Sequence, residues 1–267
     1  MAFEGAKSNL ITDVEGLPVL KAETLSYLNS LNLTVYPGSN FTLQNLKNAG
    51  LLLPMRVVPR AVNHARIEPV KPACSQNDYI IFIAASYFGM KHQRKGIEEA
   101  YEAMRTVNKK HPRLTLCHIT TNYPEAIGIK IPKDANILIN QTFGRKTYEE
   151  IISIIKGAKI LIMPSHAEGF GLPSLEAMAS KTPLVYTDAP AQNEFALGEK
   201  VPCYGIEEEM TKYGMLNELH LFKPKDLAQA ILNVYENPTY AKELAEKAYE
   251  KSLEYDQNIV FPKYLEH

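Results

Sequence analysis

No stretch of the sequence approaches eighteen consecutive apolar residues, so no membrane-spanning helix is expected. The opening MAFEGAKSNLITDVEG lacks the basic and then apolar layout of a secretory signal, and a cytoplasmic location follows as the expectation. Cysteine is scarce. Cys74, Cys117 and Cys203 are odd in number, far apart and form no C-x-x-C pair, which excludes a disulfide framework and a zinc ribbon and suits a reducing compartment. Excess charge is missing too: 29 Lys and Arg stand against 30 Asp and Glu, a formal net charge of −1, whereas a nucleic-acid-coating protein is usually basic. No nucleic-acid partner is expected. Internal repeats and low-complexity tracts are absent. The N-x-T sequons at Asn32, Asn40 and Asn140 carry no weight without a route to the glycosylation machinery.

What is present is average soluble composition, 45% hydrophobic and 22% charged over 267 residues, enough for one large or two small domains. From residue 78 onward, short β-rich runs alternate with amphipathic helical runs, which predicts an α/β fold with a helix-covered, Rossmann-like parallel sheet. Strands are expected at 79–84, 114–119, 136–139, 160–163 and 184–186, each apolar enough to be buried on both faces, with helices near 95–109, 147–157 and 172–180. The stretch 120–134, rich in Pro and Gly, reads as loop. Ahead of this domain lie an apolar segment at 17–20, helical stretches near 22–31 and 40–50 and a strand candidate at 55–58. Two helical patterns at 226–236 and 240–254 are separated by Asn237-Pro238, a natural stop and restart. The expected division is a small N-terminal segment 1–62, a Pro-containing linker 63–77, the α/β domain 78–240 and a C-terminal helix 241–264, with Leu265-Glu266-His267 reading as the start of a purification tag.

The densest chemistry lies in KILIMPSHAEGFGLPSLEAMAS, residues 159–180. A strand runs into a loop with Gly169 and Gly171 and then into a helix with Pro173 in its first turn, where a missing N–H costs nothing. In an open α/β sheet, ligands bind beyond the carboxyl ends of the strands, and the free N–H groups at the start of such a helix favour an anion such as phosphate. Glu168 lies in the loop and Glu176 inside the helix, so the two should face different parts of one extended ligand. A carboxylate only accepts hydrogen bonds, and sugar hydroxyls suit two such acceptors around an anion site. The ligand implied is a sugar joined to a nucleoside through phosphates. Spacing alone leaves open a solvated helix residue at Glu176 and a loop charge at Glu168.

Taken together, Glu168, Glu176, the Gly-Phe-Gly-Leu-Pro between them and the closing Glu-Ala-Met-Ala resemble the E-x7-E signature of retaining glycosyltransferases of the GT-B fold, especially the large family 4 group. The run Ile80-Ile81-Phe82-Ile83 followed by Arg94-Lys95-Gly96 resembles the opening strand and K-G element of that family's donor-binding domain, and the loop YFGMKHQ between them is longer than usual. The resemblance implies that Lys95, helped by Arg94, grips the donor diphosphate. It also implies that Glu168 holds the donor sugar beside the reacting carbon, Glu176 the ribose hydroxyls, and the loop holding Thr142 the nucleobase. Gly169, Phe170, Gly171, Leu172 and His166 complete the implied donor pocket, with Glu168 and Lys95 as its catalytic pair. Glu194 matches the end of the family's next conserved turn, and the region 50–255 carries the likeness. About 60 residues precede the linker, so the acceptor side is expected to be reduced or supplied by a second copy or a partner chain.

The expected reaction is therefore transfer of a sugar from a nucleotide-sugar donor to a glycan, lipid or protein acceptor, with retained anomeric configuration. No Asp-x-Asp motif occurs, so neither a metal nor another cofactor is expected. With Lys7, Lys21 and Lys47 the only basic residues before residue 50, membrane contact should be peripheral at most. A rival expectation is a nucleotide-sugar-binding or regulatory subunit without turnover. A sugar-nucleotide epimerase of the same fold suits the motif less well. Ser165 lacks a G-x-S-x-G elbow, and Gly169-x-Gly171 lacks the third glycine of a dinucleotide fingerprint. His64, His92, His111, His118 and His220 form no metal-binding spacing and read as structural, while His166 sits two residues before Glu168.

Overall fold

The computed structural model describes residues 8–76, 78–85 and 94–265; Asn77, the loop YFGMKHQ with His92, and Glu266-His267 lie outside the described residues. The chain opens with β1 (Ser8–Thr12), β2 (Gly16–Pro18), α1 (Ala22–Asn29), β3 (Leu33–Pro37), α2 (Asn40–Asn48) and the short α3 (His64–Ile67). The run Tyr79-Ile80-Ile81-Phe82-Ile83 then forms β4 (Tyr79–Ile83), buried on both faces beyond its first residue as a central parallel strand must be. It is followed by α4 (Ile97–Lys110), β5 (Thr115–Ile119), β6 (Ile137–Asn140), α5 (Tyr148–Gly157), β7 (Ile160–Met163), α6 (Leu172–Ala179), β8 (Leu184–Thr187) and β9 (Glu199–Val201). A hairpin of β10 (Cys203–Met210) and β11 (Met215–Phe222) precedes α7 (Pro224–Tyr235), α8 (Pro238–Ser252) and α9 (Gln257–Val260).

Strands β4 to β9 build a six-stranded parallel sheet in the order β6-β5-β4-β7-β8-β9. That is the 3-2-1-4-5-6 order of a doubly wound fold, so the direction of winding reverses between β4 and β7. These two central strands pair Ile80 with Ile160, Ile81 with Leu161 and Phe82 with Ile162. Helix α4 forms because Ile97, Ala100, Tyr101, Met104 and Val107 fall on one buried stripe, and because Glu98 and Glu99 at its start and Lys109 and Lys110 at its end complement its dipole. The stripe packs with Phe82, Leu116, Ile162 and α7 residues Leu227 and Ile231 on one face of the sheet; Ile81, Leu161, Met163 and the apolar faces of α5 and α6 fill the other. Helix α5 starts at a capping box in which the Thr147 hydroxyl accepts from the Glu150 N–H and the Glu150 carboxylate from the Thr147 N–H. The 120–134 stretch crosses from β5 to β6 with only a 3-10 turn at Pro124–Ile127.

The N-terminal residues form a second layer with its own core of Val14, Val35, Leu46, Leu51 and Leu53. Strands β1 and β3 pair in parallel across α1, and β2 joins the hairpin as the third strand of an antiparallel sheet, Leu17 lying opposite Leu216. Of the stretch 55–58 expected as a strand, Met55 makes a single bridge to Val35; farther along, the Val58 N–H still donates to the Pro37 carbonyl, but Pro37 has no N–H to complete a second bridge. The 63–76 segment lies along α5, where Lys156 Nζ donates to the carbonyls of Ile67, Glu68 and Val70. Beyond α8 the chain returns to the first layer: the Tyr264 ring meets the Tyr36 ring edge-on at 5.1 Å, and Val260 packs with Tyr36 and Val58. Among the described residues no helix is long and apolar enough to cross a membrane, and Cys74, Cys117 and Cys203 are unpaired.

Candidate active site

The winding reverses between β4 and β7, and in a doubly wound sheet the ligand crevice lies beyond the carboxyl ends of the strands at such a point; the segments leading into α4 and α6 meet there. Gly96 makes their approach possible: its φ of +65° is left-handed, and a Cβ there would collide with the Pro164 carbonyl oxygen just beyond β7. The two segments are also tied by the His166 N–H, which donates to the Arg94 carbonyl at 2.7 Å. Lys95 and Arg94 are thereby carried to Glu168, 73 and 74 residues away in sequence. Lys95 Nζ donates to Glu168 Oε1, and Arg94 Nη1 lies 3.6 Å from Glu168 Oε2 while donating to the Ala167 carbonyl at 2.9 Å. The Glu168 side chain is only 8% exposed. Burial opposes its ionisation, but the charges of Lys95 and Arg94 outweigh that and hold its carboxyl below the usual carboxylate range.

Glu176 is in a different environment. It lies on the buried side of α6, one turn past the helix start, and burial alone pushes its carboxyl up to about 7. It borders a cavity of about 180 Å³ shared with Val62, Asn63, Arg66, Tyr148, Leu172 and Gln257. The two glutamates therefore differ in charge near neutral pH, Glu168 ionised between cations and Glu176 close to half protonated, and a half-protonated carboxyl both donates to and accepts from hydroxyls.

The other residues singled out from sequence fall into three groups. Gly171 (φ +102°) caps α6, and Leu172 is partly exposed beside Glu176. Gly169 packs closely on the first layer: a Cβ there would press on Val14 and Asp13, and its carbonyl accepts from the hydroxyls of Ser39 (2.8 Å) and Thr42 (3.2 Å). Phe170 turns inward and stacks on Phe195 at 4.3 Å, so only its backbone can face the crevice. His166 is buried and fixed at both nitrogens, with Nδ1 3.0 Å from the His220 carbonyl and Nε2 3.2 Å from Glu99; burial lowers its pKa, yet the Glu99 carboxylate more than offsets this and the net shift is upward. It reads as a strut joining β11 to the Arg94 turn. Thr142 sits beyond β6, at the far edge of the sheet and three strands from β7, with its hydroxyl donating to Asn140 Oδ1 at 2.6 Å.

Some site residues left no mark in the sequence. Arg66 and Tyr148 reach the Glu176 cavity from α3 and the start of α5, and Glu15 reaches Arg94 from the first layer, its Oε1 accepting from Arg94 Nη2 at 2.5 Å. Such contacts join segments dozens of residues apart, and no local spacing signals them. The His118 ring in the floor of the sheet is also fixed: the Tyr101 hydroxyl donates to Nδ1 (2.7 Å), which leaves Nε2–H to donate to the Ala84 carbonyl (3.0 Å). Among the described residues no three His, Cys, Asp or Glu side chains gather as a metal site.

With this geometry in place, comparison with known proteins is informative. The family model Glycosyl transferases group 1 matches residues 76–251. Uncharacterized glycosyltransferase 335 of Sulfolobus islandicus rod-shaped virus 1 is 24% identical over 282 aligned residues, covering 99% of this chain and 80% of that protein. Glycogen synthase of Mycobacterium tuberculosis is 31% identical over 116 residues, 43% of this chain and 27% of the synthase. The structure of S. aureus TarM in complex with fondaparinux, alpha-GlcNAc-glycerol and UDP superposes with a TM-score of 0.70 at 20% identity, covering 99% of this chain. The chain spans about half of TarM, 51% of its length. The structural neighbours are GT-B glycosyltransferases, in keeping with the doubly wound sheet found here. By the match across 76–251, the segment that holds both the Lys95 turn and the two glutamates, the chain belongs to the group 1 glycosyl transferases.

Proposed function

We propose that the chain transfers a sugar from a nucleoside-diphosphate donor to an acceptor with retention of anomeric configuration, as the family 4 E-x7-E resemblance implies. The observation that carries this reading is the meeting of Lys95 and Arg94 with Glu168 in the crevice between β4 and β7. Two partly buried cations at a topological switch point suit the diphosphate that leaves when the glycosidic bond breaks, and preorganised charge at that position lowers the barrier. Lys95, Arg94 and the first N–H groups of α6, after Gly171, would hold that charge without a divalent cation. Glu168 would fix hydroxyls of the donor sugar, and Glu176, facing the small cavity, those of the ribose. The backbone of Gly169 and Phe170 and the side chain of Leu172 would border the donor, His166 would keep the Arg94 turn in place, and the loop of Thr142 would lie on the base side. A glycan, lipid or protein acceptor would approach over the first layer, helped by a second copy or a partner chain.

The test is a panel of nucleotide sugars, UDP-sugars first because UDP occupies TarM, in a thermal-shift assay of the protein and of Glu176→Ala. Stabilisation by one donor that shrinks in the variant supports the site through linkage; equal shifts remove Glu176 from it. Transfer to an acceptor with EDTA present, and the anomeric proton coupling of the product by NMR, check metal independence and retention. Donor binding without any transfer would favour the subunit reading instead.

A further inference from the structure

Glu15 and Glu168 divide the two cations of the crevice between them, and only one of these carboxylates can yield without leaving a charge stranded. Glu15 comes from the turn between β1 and β2, and its carboxylate takes one arm of the Arg94 fork while Arg94 also reaches Ala167 and Glu168. Its side chain is 29% exposed, against 8% for Glu168. Water can solvate Glu15 as soon as it swings away, whereas Glu168 has no such outlet. The backbone on either side is pinned. Asp13 accepts from Arg60 Nε (2.6 Å) and from the Gly38 N–H (3.1 Å), and Gly16 packs so closely on Leu216 and Asn217 that no Cβ fits there. The movable element is therefore the Glu15 side chain, not the turn that bears it.

The charge count gives this mobility a purpose. Two cations and two carboxylates leave the cluster neutral, so an incoming diphosphate meets cations that are already paired. We propose, resting on the donor reading above, that Glu15 is an internal competitor for Arg94: it occupies the guanidinium in the resting protein, is displaced by the donor diphosphate, and thereby sets the affinity for diphosphate while keeping Arg94 aimed into the crevice. Glu15 acts through Arg94 and is a positioning residue.

The test is calorimetric titration of UDP, GDP, ADP and inorganic pyrophosphate into the whole chain, Glu15→Gln, Arg94→Gln and the double variant, with uridine, guanosine and adenosine as controls. Glu15→Gln should tighten the diphosphate that the unaltered protein binds roughly fivefold, the factor that corresponds to a partly exposed ion pair of about 1 kcal/mol. The gain should vanish on the Arg94→Gln background, and nucleoside binding should not change. Glu15→Ala, which removes the carboxylate outright, should tighten binding likewise and serves if the Gln variant folds poorly. Equal or weaker diphosphate binding in a folded Glu15 variant, or a gain that persists without Arg94, overturns the competitor role while leaving the donor site standing. Failure of all four proteins to bind any diphosphate overturns both.

Discussion

Glu194 reaches across to Asn40 with a single carboxylate oxygen that takes both the backbone N–H (2.8 Å) and the side-chain amide (2.9 Å), while its other oxygen accepts from the Phe41 N–H (2.9 Å). Ser39 supplies the third cap by accepting from Thr42 N–H at 3.1 Å. Three of the four free N–H groups at the start of α2 are thus satisfied, two of them by a residue of the large sheet domain. Replacing Glu194 by Ala should cost about 1–2 kcal/mol and speed amide hydrogen exchange selectively in α2. Unchanged exchange there would show that Ser39 alone suffices.

Lys95 and Glu168 should fail asymmetrically. Lys95→Met leaves a buried carboxylate short of its nearest cation and should destabilise the fold by about 3 kcal/mol, whereas Lys95→Met combined with Glu168→Gln should regain most of that loss. Urea unfolding of the three proteins measures both. Neither variant should bind a donor, so stability and binding part company in the double variant.

Glu176 gives a pH dependence of defined sign. Its folded pKa of about 7 lies above that of an unfolded glutamate near 4.5, so the folded state holds an extra proton between those values and stability falls as pH rises through that window. Glu176→Gln should remove this slope and be more stable than the unaltered protein by about 3 kcal/mol at pH 8. Parallel melting curves of the two proteins from pH 4.5 to 8 would sink the assignment.

His118 works in the opposite direction. Burial lowers its pKa from 6.5 to about 4, so its contribution is complete above pH 6.5 and is lost as pH falls toward 4. The two slopes oppose each other between pH 4.5 and 6.5. Glu176→Gln should therefore unmask a stability that climbs with pH over that range, and His118→Gln one that declines. Chemical denaturation at half-unit pH steps reads both.

The large sheet was legible because its strands are buried on both faces and so appear as unbroken apolar runs, Ile80-Ile81-Phe82-Ile83 and Ile160-Leu161-Ile162-Met163. Strand β10 carries Glu207, Glu208 and Glu209 in succession, which its edge position tolerates, and three consecutive acids hide a strand from any pattern of burial. Strands β1 and β3 were hidden for another reason: β1 has no buried residue and β3 only three, so neither shows as an apolar run. At the site, Glu168, Glu176 and Lys95 stood out through motif context. Their environments did not, because the inward turn of Phe170 depends on Phe195, and the protonation of Glu176 depends on a cavity wall drawn from α3, α5 and α9.

The return of the last residues to the first layer bears on the order in which the molecule can be assembled during synthesis. Every strand of the six-stranded sheet has left the ribosome once Val201 is clear, but Tyr36 and Val58 wait for Val260 and Tyr264 before their packing is complete. The layer translated first is thus the last to complete its packing, since Tyr36 and Val58 stay uncovered until Val260 and Tyr264 have emerged.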